Sequence, residues 1–166
     1  MDTLVLAISV IIFAGPALLL LGYGGWLSLH DLRTHRLPNV HVGLLTALLV
    51  IVEVLISWTT GNWEIFVSSL KVSLATTAVY CALYVVSRRQ IGMGDVKYAV
   101  PTGLVLGFYT PQSWLVNIFA TFCLAGVVSL IGMLSGRLER SSRIAFGPYM
   151  TIATLVFVVI QGVNSP

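Results

Sequence analysis

The sequence predicts an all-α polytopic membrane protein with six transmembrane helices, and three observations predict it. Of its 166 residues, 57% are hydrophobic and only 9% charged, with a mean hydropathy of +0.96. A soluble domain carries roughly a quarter charged residues. Six apolar stretches follow one another, at residues 4–29, 40–58, 65–87, 96–109, 114–134 and 144–161. A span needs about 20 apolar residues, within a range of about 17–25. Finally, basic loops alternate with loops that hold no lysine or arginine, the pattern of a chain threading back and forth through a bilayer.

The first stretch reads as a retained span. Its N-terminus has Asp2 and no basic residue, and the apolar run is too long for a signal-peptide core. It closes at Ser28-Leu29-His30-Asp31-Leu32-Arg33. Pro38 then breaks the chain, and Asn39 is expected to cap the second helix. Glu53 lies near the outer end of the second stretch and Lys71 about two turns into the third. Their similar depths predict either an ion pair or a lysine snorkelling outward.

The fourth stretch is short. Counted from after Asp95 to before Pro111 it has about 14 residues, or about 21 Å of helix. That falls below the bilayer core of about 30 Å. The Gly92-Met93-Gly94-Asp95 segment is therefore expected to dip into the membrane as non-helical backbone, covered by protein or a watery cleft. The fifth and sixth stretches flank the basic loop 135–143, which reads as an orientation signal.

Orientation follows from the loops. Arg33 and Arg36 lie in the first, Arg88 and Arg89 in the third, and Arg137, Arg140 and Arg143 in the fifth. This places the odd loops in the cytoplasm and both termini outside. Trp58, Trp63, Tyr109 and Trp114 then form an aromatic belt at the outer face. Residues 1–166 read as one membrane-embedded domain with no soluble domain. The net charge of +3 is scattered over short loops, so no nucleic-acid partner is expected. Cys81 and Cys123 have no partner spacing and read as small buried hydrophobes.

Two acids stand out. Ionisable residues near membrane spans are rare and mark functional sites by default. Asp31 and Asp95 fall on the same predicted face, the cytoplasmic one, although the topology was derived without them. Each has a bland reading alone. Asp31 balances Arg33 and Arg36 in an ordinary turn, and Asp95 caps a helix after glycines that permit a positive-φ turn or a close backbone approach.

Together the two segments resemble the type IV prepilin peptidases, membrane aspartyl proteases with a Gly-x-Gly-Asp motif. The matching positions are Asp31, Pro38, Asn39, Gly92, Gly94, Asp95 and Lys97. Gly103-Leu104-Val105-Leu106-Gly107 and Phe146-Gly147-Pro148-Tyr149 are also similar to family segments. The resemblance implies that Asp31 and Asp95 are catalytic, with Gly92, Gly94, Lys97, Pro38 and Asn39 supporting the site. It implies prepilin-like or preflagellin-like substrates with a hydrophobic N-terminal helix. Their short basic leader would be cleaved after a glycine at the cytoplasmic face of a prokaryotic inner membrane. The paired Cys-x-x-Cys motifs of larger, methylating members do not occur, so the chain resembles a small peptidase-only member of the tight-adherence pilus or preflagellin type.

The chemistry suits two aspartates. Like charges sharing a site do not both ionise readily, so the pair holds one proton. One member then draws a proton from water while the other polarises the scissile carbonyl. Arg33, Arg36 and Lys97 would oppose that proton retention if close. Lys97 lies two positions after Asp95, on another side of a helix, and would hold a neighbouring carbonyl, anchor at a headgroup or bind substrate. No cofactor or metal is expected, because His30, His35 and His41 show no metal-binding helical spacing. Gly103/Gly107 and Gly132/Gly136 read as helix-packing pairs. The rival readings are a small proton-coupled transporter or channel using the aspartates as a relay, and a non-enzymatic assembly scaffold.

Overall fold

A computed structural model describes residues 13–88, 91–136 and 145–164. Arg89, Arg137, Arg140 and Arg143, and the predicted starts of the first and last spans, lie outside the described residues.

The described residues form helices and no strand. Helix α1 covers 13–34 and contains a π-helical turn at Leu20–Gly24. It stops where His35 takes a left-handed conformation, φ 50°, and its N–H closes on the Asp31 carbonyl at 2.7 Å. Helix α2 is Asn39–Thr60, entered from the extended backbone of Pro38 and ended by Gly61 at φ 70°. That left-handed conformation favours glycine. Helix α3 is Trp63–Val86, opened by the Asn62 side chain, which accepts from the Glu64 N–H at 3.2 Å. Helix α4 is Met93–Tyr109 and α5 is Trp114–Leu134, joined through a 3-10 turn at Pro111–Ser113. Helix α6 is Gly147–Asn164.

By length and apolar composition, Asn39–Thr60, Trp63–Val86 and Pro111–Leu134 can cross a membrane, and Gly147–Val163 is a shorter apolar helix. The outward faces are apolar: Leu18, Leu55, Leu74, Phe119 and Leu134 are all more than half exposed. A surface so rich in large hydrophobic side chains is suited to lipid rather than water. Cys81 and Cys123 also lie on exposed surface, not in the core as expected.

Helix α4 is the axis of the fold. It packs most extensively on α3 and also contacts α1, α2, α5 and α6. Its 17 residues span about 26 Å. The predicted non-helical segment is mostly helix, because α4 begins at Met93 and takes in Gly94 and Asp95. Gly92 alone of the four keeps an extended backbone, at φ −69° and ψ 140°. The two glycines serve close approach rather than a positive-φ turn. A Cβ on Gly92 would lie 2.9 Å from the Asp95 carboxylate, and one on Gly94 would lie 3.3 Å from Leu37 Cβ.

Small residues bring α3 and α4 together. A Cβ on Gly103 would stand 2.6 Å from Ser73 Cα, and one on Gly107 would stand 2.5 Å from Ser69 Cα. This is the packing expected for that glycine pair. The backbone approach lets Ser73 donate to the Val100 carbonyl at 2.9 Å and Ser69 to the Leu104 carbonyl at 2.8 Å. Ser69 also donates to Glu53, which is fully buried, whereas Lys71 is exposed. The predicted Glu53–Lys71 ion pair is thus replaced by a serine bridge. The i to i+2 offset from Ser69 puts Lys71 on another side of the helix.

Helix α1 runs antiparallel to α4. Tyr109 at the end of α4 donates to the carbonyl of Phe13, the first described residue of α1, and midway Tyr98 donates to the Gly24 carbonyl at 3.1 Å. That register carries the end of α1 to the beginning of α4. Asp31 and Asp95 therefore lie at the same end of the bundle.

Candidate active site

Both acids sit at the polar ends of their helices, outside the apolar stretches 4–29 and 96–109. Both are nearly closed off from solvent: Asp31 is 4% exposed and Asp95 7%. Burying a carboxylate is costly unless hydrogen bonds or charges compensate. Here a backbone N–H at a helix start serves each one.

Asp95 is the third residue of α4, and its Oδ2 accepts from the Gly92 N–H at 3.1 Å. It is therefore not the N-cap itself but the residue that reaches back to the cap, the returning half of a capping box. Asp31 Oδ2 accepts from the Gly147 N–H at 3.1 Å, across 116 residues of sequence. Gly147 opens α6, and Pro148 behind it has no N–H to offer. A Cβ on Gly147 would lie 3.0 Å from Asp31 Oδ2. Helix N-termini carry partial positive charge, so both cradles favour an anion.

The electrostatics of the two acids are linked. Burial raises the Asp95 carboxyl above the ordinary carboxylate range, the charge on Asp31 raises it further, and the Gly92 hydrogen bond opposes both. Burial also raises Asp31, against the Gly147 hydrogen bond and the positive fields of His35 and His30. Two interacting carboxyls titrate as a pair, and the pair retains a proton past the pH at which a free aspartate ionises.

The arginines do not play the part expected of them. Arg33 and Arg36 are exposed, while Asp31 turns inward to Gly147. The ordinary-turn reading of Asp31 is thereby replaced by a buried, backbone-bound carboxylate. Asn39 departs from expectation as well. Pro38 occupies the cap position of α2, and the Asn39 side-chain carbonyl accepts from Lys97 Nζ at 2.8 Å. Of the three tasks open to Lys97, it performs the first, holding a carbonyl. The bond joins the Pro38-Asn39 segment to the glycine–aspartate segment, and Leu37, 8% exposed, packs over Gly94 beside it.

Two of the histidines have ring or hydroxyl partners of their own. His41 Nδ1 pairs with the Tyr23 hydroxyl at 2.6 Å, and His30 stacks on Trp26 with ring centroids 5.7 Å apart. Sequence reasoning missed the role of Gly147. Its segment was conspicuous, but only the meeting of α1 with α6 shows what the glycine is for. The signal available was a Gly-Pro step at the start of an apolar helix, which presents one leading N–H.

These features describe two aspartates, distant in sequence, clasped by backbone donors and sharing one electrostatic environment. The sequence profile of the type IV leader peptidase family matches residues 17–130, which include both of them. No curated protein and no solved structure matches the chain. The match covers more than two thirds of the 166 residues, and with the apolar helices it establishes a multi-pass membrane peptidase of the aspartic type: the chain belongs to the type IV leader peptidase family.

Proposed function

We propose that this protein is a membrane aspartyl endopeptidase that removes the short basic leader of prepilin-like or preflagellin-like precursors. Asp31 and Asp95 are its catalytic pair. Cleavage follows a glycine at the cytoplasmic face of a prokaryotic inner membrane, with six spans, both termini outside and no methyltransferase activity. The observation that carries this reading is geometric: Asp31 and Asp95 are both buried at one end of the bundle, each held by a backbone N–H at the start of a helix.

The reaction follows from one shared proton. The ionised carboxylate takes a proton from a water molecule as the water oxygen bonds to the scissile carbonyl carbon. The protonated carboxyl gives its proton to the carbonyl oxygen, producing a neutral tetrahedral diol. Collapse of the diol breaks the C–N bond. The amine leaves with the proton first taken from water, and a hydroxyl proton returns to the pair. Gly92 and Gly147 donate to the carboxylates and hold them in place. The loop charges agree with this topology, since the precursor's basic leader stays on the side where the odd loops lie.

The test is cleavage of a co-expressed precursor carrying a basic leader, a glycine and a hydrophobic helix. Asp31→Asn and Asp95→Asn should each lower cleavage by about 10²–10⁴-fold, the range for loss of an acid–base group. Each variant should still elute as the folded protein. Full cleavage by either variant would sink the proposal.

A further inference from the structure

One helical turn inward from the two aspartates, three hydroxyls converge. Ser28 lies three residues before Asp31 on α1, Tyr98 three after Asp95 on α4, and Thr151 four after Gly147 on α6. In a helix such offsets stack side chains on one face. Each of the three helices that build the site thus sends one hydroxyl to a common point beneath it. Thr151 Oγ1 lies 2.7 Å from Ser28 Oγ and 2.7 Å from the Tyr98 hydroxyl, and it reaches the Gly147 carbonyl at 3.0 Å.

Counting hydrogens orders the cluster. A carbonyl oxygen only accepts, so the single Thr151 hydrogen goes to Gly147. Ser28 then donates to Thr151. Tyr98 shares its hydrogen between Thr151 and the Gly24 carbonyl, 3.1 Å away. All three side chains are buried: Tyr98 0%, Thr151 4% and Ser28 5% exposed. Gly24 makes room, since a Cβ there would stand 2.8 Å from the Tyr98 oxygen. Gly24 also ends the π-turn of α1, a distortion of the kind that recurs at functional sites.

We propose that the Ser28–Thr151–Tyr98 cluster positions the aspartate pair for catalysis, with Thr151 as its hub. The link is direct on one side. Thr151 holds the carbonyl of Gly147, the residue whose N–H holds Asp31. On the other side, Tyr98 fixes the rotation of α4 one turn below Asp95. The cluster sets the separation and facing of the two carboxyls through three helices at once. Thr151 lies beyond residue 130, outside the span matched by the family profile, so this chain's last helix contributes to the geometry of a pair carried by earlier ones. The proposal rests on the assignment of Asp31 and Asp95 as the catalytic pair.

The test uses the full chain in lipid nanodiscs with a synthetic precursor bearing a basic leader, a glycine and a hydrophobic helix. Thr151→Val removes the hydroxyl at nearly constant shape, Thr151→Ser keeps it, and Tyr98→Phe removes one donor. A misplacement of about 1 Å costs up to about 10²-fold in rate. Thr151→Val should therefore lower kcat by about 10–100-fold at little-changed KM and move the pH–rate profile, while Thr151→Ser restores kcat to within about threefold. Tyr98→Phe should lower kcat in the same manner. Rates are normalised to the folded fraction from size exclusion, so that loss of folding is read separately. Unchanged kcat and pH profile in Thr151→Val, with Asp31→Asn and Asp95→Asn inactive, would overturn the positioning role alone. Failure of Thr151→Ser to recover activity when folded would also overturn it. Activity in the aspartate variants would instead overturn the catalytic assignment beneath it.

Discussion

Among the described residues three carboxyl groups are buried, and two regions treat them differently. At one end of the bundle Asp31 and Asp95 each receive a backbone N–H from the start of a helix, and the charge of Asp31 acts on Asp95. Elsewhere Glu53 is fully buried with a shared serine hydroxyl as partner, and its Oε1 meets no hydrogen-bonding group. Burial is therefore common to both regions and distinguishes neither. What separates them is pairing, together with donors that favour a negative charge. The Glu53 region joins α2 to α3 and, through Ser69, to α4, which is a packing task.

The comparison breaks most sharply at Gly147. Gly147→Ala should press a Cβ against the Asp31 carboxylate and lower kcat by about 10–100-fold, as expected for a small displacement of a reacting group. A precursor-cleavage assay measures it. If the alanine variant retains full activity, the cradle at α6 has no bearing on the chemistry.

Titration sharpens the comparison next. Activity should fall on the acid side as the second carboxyl is protonated, and on the alkaline side as the shared proton is lost. Because burial raises both carboxyls, the alkaline limb should lie above the range of an ordinary aspartate. The stability sign follows the same shift. The folded protein binds the extra proton, so this contribution is complete below the unfolded carboxyl value and is lost as pH rises through the folded one. Asp95→Asn should flatten that pH dependence in a thermal-unfolding series.

Glu53 should behave as the packing region. Glu53→Gln keeps an amide in hydrogen-bonding reach of Ser69 and should leave cleavage within about twofold. Glu53→Ala removes the Ser69 hydrogen bond while Ser69 keeps the Leu104 carbonyl, and should cost about 0.5–1.5 kcal/mol of stability. Loss of kcat in a folded Glu53→Gln variant would erase the distinction between the two regions.

A bond on the surface of the site, that of Lys97, should matter little to cleavage. Its hydrogen bond to the neutral Asn39 amide lies on exposed surface, and a typical intramolecular hydrogen bond contributes about 0.5–1.5 kcal/mol. Lys97→Met should thus change cleavage by only about fivefold. A larger loss would place the lysine on the substrate rather than on Asn39.

Much of the helical plan was legible because it is written locally. The break at Pro38, the stop at Gly61 and the limits of α5 are consequences of neighbouring residues, and they lie where the apolar stretches end. The two acidic segments were legible too, as polar groups interrupting long apolar runs. The start of α4 was misplaced by a few residues, because glycine and aspartate suit both a turn and the first turn of a helix. Of the two readings of Lys71 the ion pair fails, because equal depth in two spans does not specify which way a side chain faces, while the exposed lysine suits the outward alternative.

The amino-acid order alone determined a helical, lipid-facing chain with two acids at helix ends, since hydrophobic length and breaker residues act over a few turns. Only the tertiary structure decided which groups hold those acids. The partner of Asp31 is 116 residues away, that of Lys97 is 58 residues away, and the hydroxyl hub lies on the last helix. Such contacts depend on how helices rotate and approach one another. That is set by the summed packing of glycines, serines and buried side chains around α4, not by any one stretch of sequence.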